Sequence, residues 1–288
     1  MKIIISPAKK MRVDTDSFPI RAFPQFLDNT QCLLARMREL SYQELKTLWK
    51  CNEQIAALNF ERLQTIDLRR NLTPALMSYV GIQYQHMAPD VFTRDEFRYI
   101  EEHLRILSGF YGVLRPFDGV VPYRLEMGAK LDAAGKRDLY AFWGNRLSKA
   151  VIEGDSGVLN LASKEYSKCV IDHLPGNIPY LNCVFAERKA GKLIEKGTLC
   201  KMARGEMVRW MAREQVENWN HLKEFRELGY VFTPEESDGQ NYVFIKQERE
   251  GCGDEEEAAF EVICRGQKTS KAGEKIKRIQ YSGRSYRN

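Results

Sequence analysis

The apolar run Lys2 to Ser6, stopped by Pro7, predicts a short buried strand. From about Phe26 to Leu63 the apolar residues fall at helical spacing, with Leu33, Leu34, Met37 and Leu40 sharing a face. Ser41-Tyr-Gln-Glu44 and Thr93-Arg-Asp-Glu96 read as capping boxes, the second opening a helix through Tyr99, Ile100, Leu104 and Leu107. Thr73-Pro74 caps another helix. The second half alternates: a helix over 138–151, a strand over 158–162 and a helix over 165–173. Two strand-like runs, 178–188 and 192–202, flank the hairpin signal Lys189-Ala-Gly-Lys192. A helix over 203–218 and closing strands over 229–232 and 242–247 complete the pattern. Early helices and late strands predict a mixed α/β (α+β) fold, with no internal repeat.

Composition narrows the class. The chain has 288 residues, 43% hydrophobic and 29% charged, which fits a globular protein and excludes wholesale disorder or a collagen-like repeat. No apolar run approaches the ~20 residues of a membrane span, and the start is too weakly apolar for a signal peptide. A cytoplasmic protein is expected. Seven scattered cysteines with no C-x-x-C and only four histidines predict reduced, mostly buried thiols and no metal centre. Cys252 and Cys264 are the one pair to consider as a peroxide sensor, without a supporting pattern.

Charge is uneven. Net charge is +5, yet residues 265–288 hold eight cations against Glu274 alone, a surplus of +7 that leaves the rest of the chain at −2. This tail either tracks phosphates by counterion release or is a solvated terminus. A nucleic-acid surface on the body must come from local clustering.

The segment 103–144 is densest in unusual residues. Leu107-Ser-Gly-Phe-Tyr-Gly-Val-Leu-Arg-Pro116 reads as a turn between helical stretches, with Ser108, Gly109, Tyr111 and Gly112 at the turn and Arg105 and Arg115 beside it. Glycines permit close backbone approach, and free N–H groups at a helix start can receive a phosphate oxygen. That is the scheme of a helix-hairpin-helix element, although the glycine spacing departs from its usual form and an ordinary interhelical turn remains the alternative. Arg124 and Glu126 leave one face of an extended segment, to pair with each other or to line a polar cleft. Trp143, Asn160, Ser163 and Tyr166 supply further polar or aromatic groups near a strand end. Lys201 and Arg204 mark either a phosphate contact or a solvated helix face. No nucleophile elbow, phosphate loop or dinucleotide fingerprint occurs.

Several segments together resemble the YaaA family of bacterial peroxide stress proteins, long catalogued as a family of unknown function. They are Ile5-Ser-Pro-Ala-Lys9, His103 to Pro116, Pro122-Tyr-Arg-Leu-Glu-Met-Gly128, Asp138-Leu-Tyr-Ala-Phe-Trp-Gly144, Asn160-Leu-Ala-Ser163 with Glu165-Tyr166, and Ala203-Arg-Gly205. The resemblance implies a cytosolic protein that limits oxidative damage by lowering free intracellular iron, built as one compact α/β body over residues 1–250. Residues 251–288 fall outside the pattern as a charged extension. It also implies sequence-nonspecific DNA binding in a positively charged cleft with a helix-hairpin-helix element. Carried onto this chain, Lys9, Arg115, Arg124, Lys201 and Arg204 are expected to share one groove as backbone contacts, with no cofactor. The competing expectation is an enzyme with a small-molecule or nucleotide pocket around Lys9, Arg124, Glu126, Asn160, Ser163 and Tyr166. Oligomeric state is left open.

Overall fold

The computed structural model describes residues 1–153 and 157–247, and the compact unit spans Met1–Gln247. In chain order the helices are α1 (Leu27–Arg38), α2 (Tyr42–Trp49), α3 (Glu53–Thr65), α4 (Ala75–Ser78), α5 (Ile82–Met87), α6 (Arg94–His103), α7 (Leu139–Trp143), α8 (Arg146–Val151), α9 (Lys164–Ile171) and α10 (Gly197–Glu214). The strands are β1 (Lys2–Ile5), β2 (Lys10–Met11), β3 (Thr73–Pro74), β4 (Tyr79–Val80), β5 (Leu104–Ser108), β6 (Gly112–Leu114), β7 (Gly119–Val120), β8 (Val158–Leu161), β9 (Tyr180–Lys189), β10 (Lys192–Ile194), β11 (Tyr230–Phe232) and β12 (Asn241–Lys246).

The main sheet runs β11-β12-β9-β8-β1-β5-β6, with β10 folded back on β9. Strands β12, β9, β8, β1 and β5 are parallel, and β11, β6 and β10 are antiparallel margins. All four β1 residues are buried, as a central parallel strand covered on both faces requires. The chain leaves β1 to pair β5 on one side and returns as β8 on the other, so strand order reverses at β1. Two small antiparallel pairs, β2 with β4 and β3 with β7, pin the loops around the sheet.

Local signals explain many boundaries. Ser41 and Thr93 form complete capping boxes with Glu44 and Glu96. The described residues contain no helix long and apolar enough to cross a membrane. Cys169, Cys183 and Cys200 are buried thiols, Cys51 is half-buried and Cys32 is exposed. Cys252, Cys264 and the basic tail lie outside the described residues.

Four expectations need correction. The helix opened by Thr93 stops at His103, and Leu104–Ser108 continues as a strand, because its apolar run lies in the sheet core. Leu107 to Pro116 is therefore a β-hairpin rather than a helix-hairpin-helix: Ser108 pairs with Gly112, and Ile106 with Leu114. The expected helix over 138–151 is two helices, broken at Gly144 with φ +52°. Likewise the strand expected over 192–202 ends at Ile194, and α10 begins at Gly197.

Candidate functional site

In open sheets with parallel strands, polar groups gather beyond the carboxyl ends where strand order reverses. Here that place is the gap between the ends of β1 and β8. The Ser6 hydroxyl accepts the Ser163 backbone N–H at 2.8 Å and lies 3.2 Å from the Ser163 hydroxyl. Ser163 precedes α9 but does not cap it with its side chain; its hydroxyl is turned to Ser6 instead. Tyr84 of α5 donates to the Ser6 carbonyl at 3.0 Å. Ser6 is a contributor absent from the expected site residues; its signals are a hydroxyl residue ending an apolar strand before proline and its place in the Ile5-Ser-Pro-Ala-Lys9 segment.

The charged part stands on the segment 122–128. This segment approaches the turn after β5 so closely that a Cβ on Gly109 would lie 2.6 Å from the Leu125 carbonyl oxygen and 2.9 Å from the Met127 nitrogen. Gly109 is thus needed for backbone proximity. At its far end the segment is tied to α9, where the Gly128 N–H donates to Glu165 Oε1 at 2.8 Å. Between these anchors, Glu126 Oε1 lies 3.1 Å from Lys9 Nζ and 3.2 Å from Arg124 Nη2. The Lys9 side chain is 68% exposed, whereas those of Glu126 and Arg124 are 21% and 9% exposed. Two cations thus share one carboxylate, which leaves a positive surplus at the rim. Arg124 Nη2 also donates to the Trp49 carbonyl at 3.3 Å, while its Nε is buried with no hydrogen-bond partner.

A neutral aromatic wall backs this cluster. Tyr79 and Tyr123 hydroxyls are 2.8 Å apart, and Tyr123 reaches Ser108 Oγ at 2.6 Å. Burial pushes Tyr123 up to about 12 and holds Tyr79 and Tyr84 well above the usual phenol range, so all three keep their protons. Tyr166 is buried beside them and is raised for the same reason. A cavity of about 10 Å³ beside Tyr123, Arg124, Trp49 and Arg62 has room for one water.

The remaining expected residues divide. Ser108, Gly109, Tyr111 and Gly112 are interior, and Ser108 Oγ accepts the Phe110 and Tyr111 N–H groups. Trp143 is fully buried and donates from Nε1 to the Gly109 carbonyl at 3.0 Å. Register sets Arg105 level with Ile4 and Arg115 opposite Arg105, two positions back from Ser6 along the strands. Arg105 donates to the last carbonyls of α6. Arg115 Nε grips the buried Asp118 at 3.0 Å. Burial raises the Asp118 carboxyl, although the Arg115 contacts oppose it. Of the five cations expected in one groove, Lys9 and Arg124 meet at Glu126, whereas Arg115 is held by Asp118.

Asn160 is drawn into a structural role. Its Nδ2 donates to Asn182 Oδ1 at 2.9 Å, and Asn182 donates to Asn241 at 2.9 Å, an amide row across β8, β9 and β12. On α10, Lys201 is exposed and Arg204 half-buried, with Arg204 Nε unpartnered. Burial pushes the Cys183 thiol up to about 12 while the Arg204 charge pulls it back, which sets Arg204 beside β9. Register puts Cys183 level with the end of β8, so Arg204 stands near the same carboxyl edge.

A family model described as peroxide stress protein YaaA matches residues 1–236. A UPF0246 protein of Pediococcus pentosaceus is 53% identical over 248 residues, 86% of this chain and 99% of that relative. Relatives of the same description from Lactiplantibacillus plantarum and Lachnoclostridium phytofermentans are 51% and 50% identical, each across 86% of this chain and 100% and 97% of their own lengths.

Proposed function

The chain belongs to the peroxide stress protein YaaA family, and from that premise we propose that it binds the DNA backbone at the carboxyl edge of its sheet. Binding there limits oxidative damage and the free intracellular iron that drives it. The observation carrying this reading is the pairing of Lys9 and Arg124 with the single carboxylate of Glu126, next to the start of α9. A cationic surplus beside helix N–H groups attracts phosphate oxygens without selecting bases. Arg204 and Lys201 extend the same edge. Arg105, Arg115 and the buried hairpin residues have no part in the interface.

Duplex binding measured across a salt series tests the reading. Lys9→Ala combined with Arg204→Ala is expected to weaken unrelated duplexes alike and to flatten log K against log salt by about 0.9 for each phosphate no longer neutralised. Arg115→Ala, at a guanidinium already held by Asp118, should leave that slope unchanged. Affinity indifferent to salt, or equal weakening by all these variants, overturns the reading. In peroxide-treated cells the Lys9/Arg204 variant should also leave more DNA strand breaks and more chelatable iron than the wild type.

The convergence of Ser6, Ser163, Lys9 and Glu126 favours a second reading, a small-molecule or nucleotide enzyme. It requires a ligand that protects Lys9 from amine-directed labelling. Screening nucleotides for such protection, with Glu126→Gln as the comparison, decides between the two.

A further inference from the structure

Strand β9 is longer than its neighbours. It pairs with β8 only as far as Asn182 and with β12 only as far as Ala186. Beyond that point Glu187, Arg188 and Lys189 have β10 as their partner strand, so the sheet narrows to a two-stranded ribbon. Six residues separate Cys183, level with the end of β8, from the ribbon tip at Lys189. At ~3.3 Å per residue the ribbon reaches about 20 Å past that strand end. Because β9 is parallel to β8 and β1, it projects from the edge that carries Ser6, Lys9 and Ser163.

The tip is built against its own stability. Lys189 and Lys192 are direct cross-strand partners, and like charges so placed repel. Neither makes an ion pair among the described residues. The nearby carboxylate of Glu187 is taken by Lys196 at 2.7 Å, and Arg188 is bound to Glu236 at 2.5 Å. The two-residue turn places Ala190 at φ +48° and Gly191 at φ +76°, and the first of these is a conformation that disfavours a Cβ. Behind the tip, Leu193 and Ile194 stay 37% and 41% exposed, with no described element covering them. A repelling lysine pair at the tip of a projecting arm is a feature that a bound polyanion would relieve, and the uncovered Leu193 and Ile194 behind it are free to pack against the same partner.

We propose that the β9–β10 ribbon is a second DNA-binding element, which enters the major groove of a duplex held at the carboxyl edge. The proposal rests on the DNA-binding reading and adds to it a separate contact. A two-stranded ribbon matches the major groove, which is roughly 12 Å wide. Lys189 and Lys192 then reach phosphates on its two walls, and Leu193 and Ile194 meet the apolar edges of sugars and bases.

The full chain with Lys189→Ala and Lys192→Ala together tests it on a 30-base-pair duplex. The slope of log K against log salt should become shallower by about 1.8, because two phosphates are no longer neutralised. The thermal midpoint should hold or rise, because the repelling pair is gone. Lys189→Arg with Lys192→Arg should retain the wild-type slope. An unchanged slope in the alanine variant, while Lys9→Ala still weakens binding, overturns the ribbon proposal and leaves the parent reading standing. Failure of the wild-type chain to bind duplex at all removes both.

Discussion

Ser6 and Ser163 lie 157 positions apart in sequence, and the Ser163 N–H donates to the Ser6 hydroxyl at 2.8 Å. This bond ties the end of β1 to the start of α9, across the point where strand order reverses. Replacing Ser6 with Ala leaves a partly buried N–H unpaired, which costs about 1–3 kcal/mol. Urea unfolding of Ser6→Ala should show that loss with little change in m-value. Stability equal to the wild type would mean that water replaces the hydroxyl.

Gly109→Ala is expected to be more damaging than its size suggests. The added carbon would meet the Leu125 carbonyl oxygen at 2.6 Å, a backbone atom that cannot rotate away. Overpacking of this kind costs about 1–3 kcal/mol and displaces the segment bearing Arg124 and Glu126. A lowered thermal midpoint together with weakened DNA binding is the expected pair of results.

Glu126→Gln should separate stability from binding. The carboxylate neutralises one of two adjacent cations, so its removal exposes more positive charge to phosphates while leaving the largely buried Arg124 without its ion-pair partner. Duplex affinity at ~0.1 M salt should rise roughly fivefold to tenfold, with a steeper salt slope. Unfolding free energy should fall. Affinity that drops along with stability would show that Glu126 organises the cleft more than it restrains it.

Asp118 gives the fold a defined pH response. Burial raises its carboxyl above the ordinary value of 3.8, so the folded chain holds this proton more tightly than the unfolded chain. The resulting stability is complete below about 3.8 and is lost as pH climbs through the raised folded value. Asp118→Asn should flatten that stretch of the stability curve. Denaturation midpoints at closely spaced acidic pH values check this, and curves that superimpose would contradict it.

Some of this architecture is readable from neighbouring residues. Ser41 and Thr93 announce their helices because a capping box is complete within four positions. The buried character of KIIIS and the Lys189-Ala-Gly-Lys192 hairpin are equally local. Leu104 to Leu107 mislead because a short apolar run continues a helix or starts a strand with equal ease, and only pairing with β1 decides. Gly109 is visible as special, but its reason is a backbone 16 positions away. Arg105 and Arg115 look like partners of Lys9 because sequence spacing carries no information about which partner a side chain takes, here the last carbonyls of α6 and Asp118. Ser6 escapes notice because one serine in a loop says nothing until Ser163 is beside it.

The central place of β1 has a consequence for how the protein is made. Its apolar residues leave the ribosome more than 150 positions before β8, which supplies its second edge. Until then a sticky, hydrogen-bonding ribbon of isoleucines has no native cover on that side. Contacts of such long range slow folding and lengthen the time in which chains can associate wrongly. Rapid overproduction should therefore favour inclusion bodies, and slower translation or added chaperones should recover the native protein.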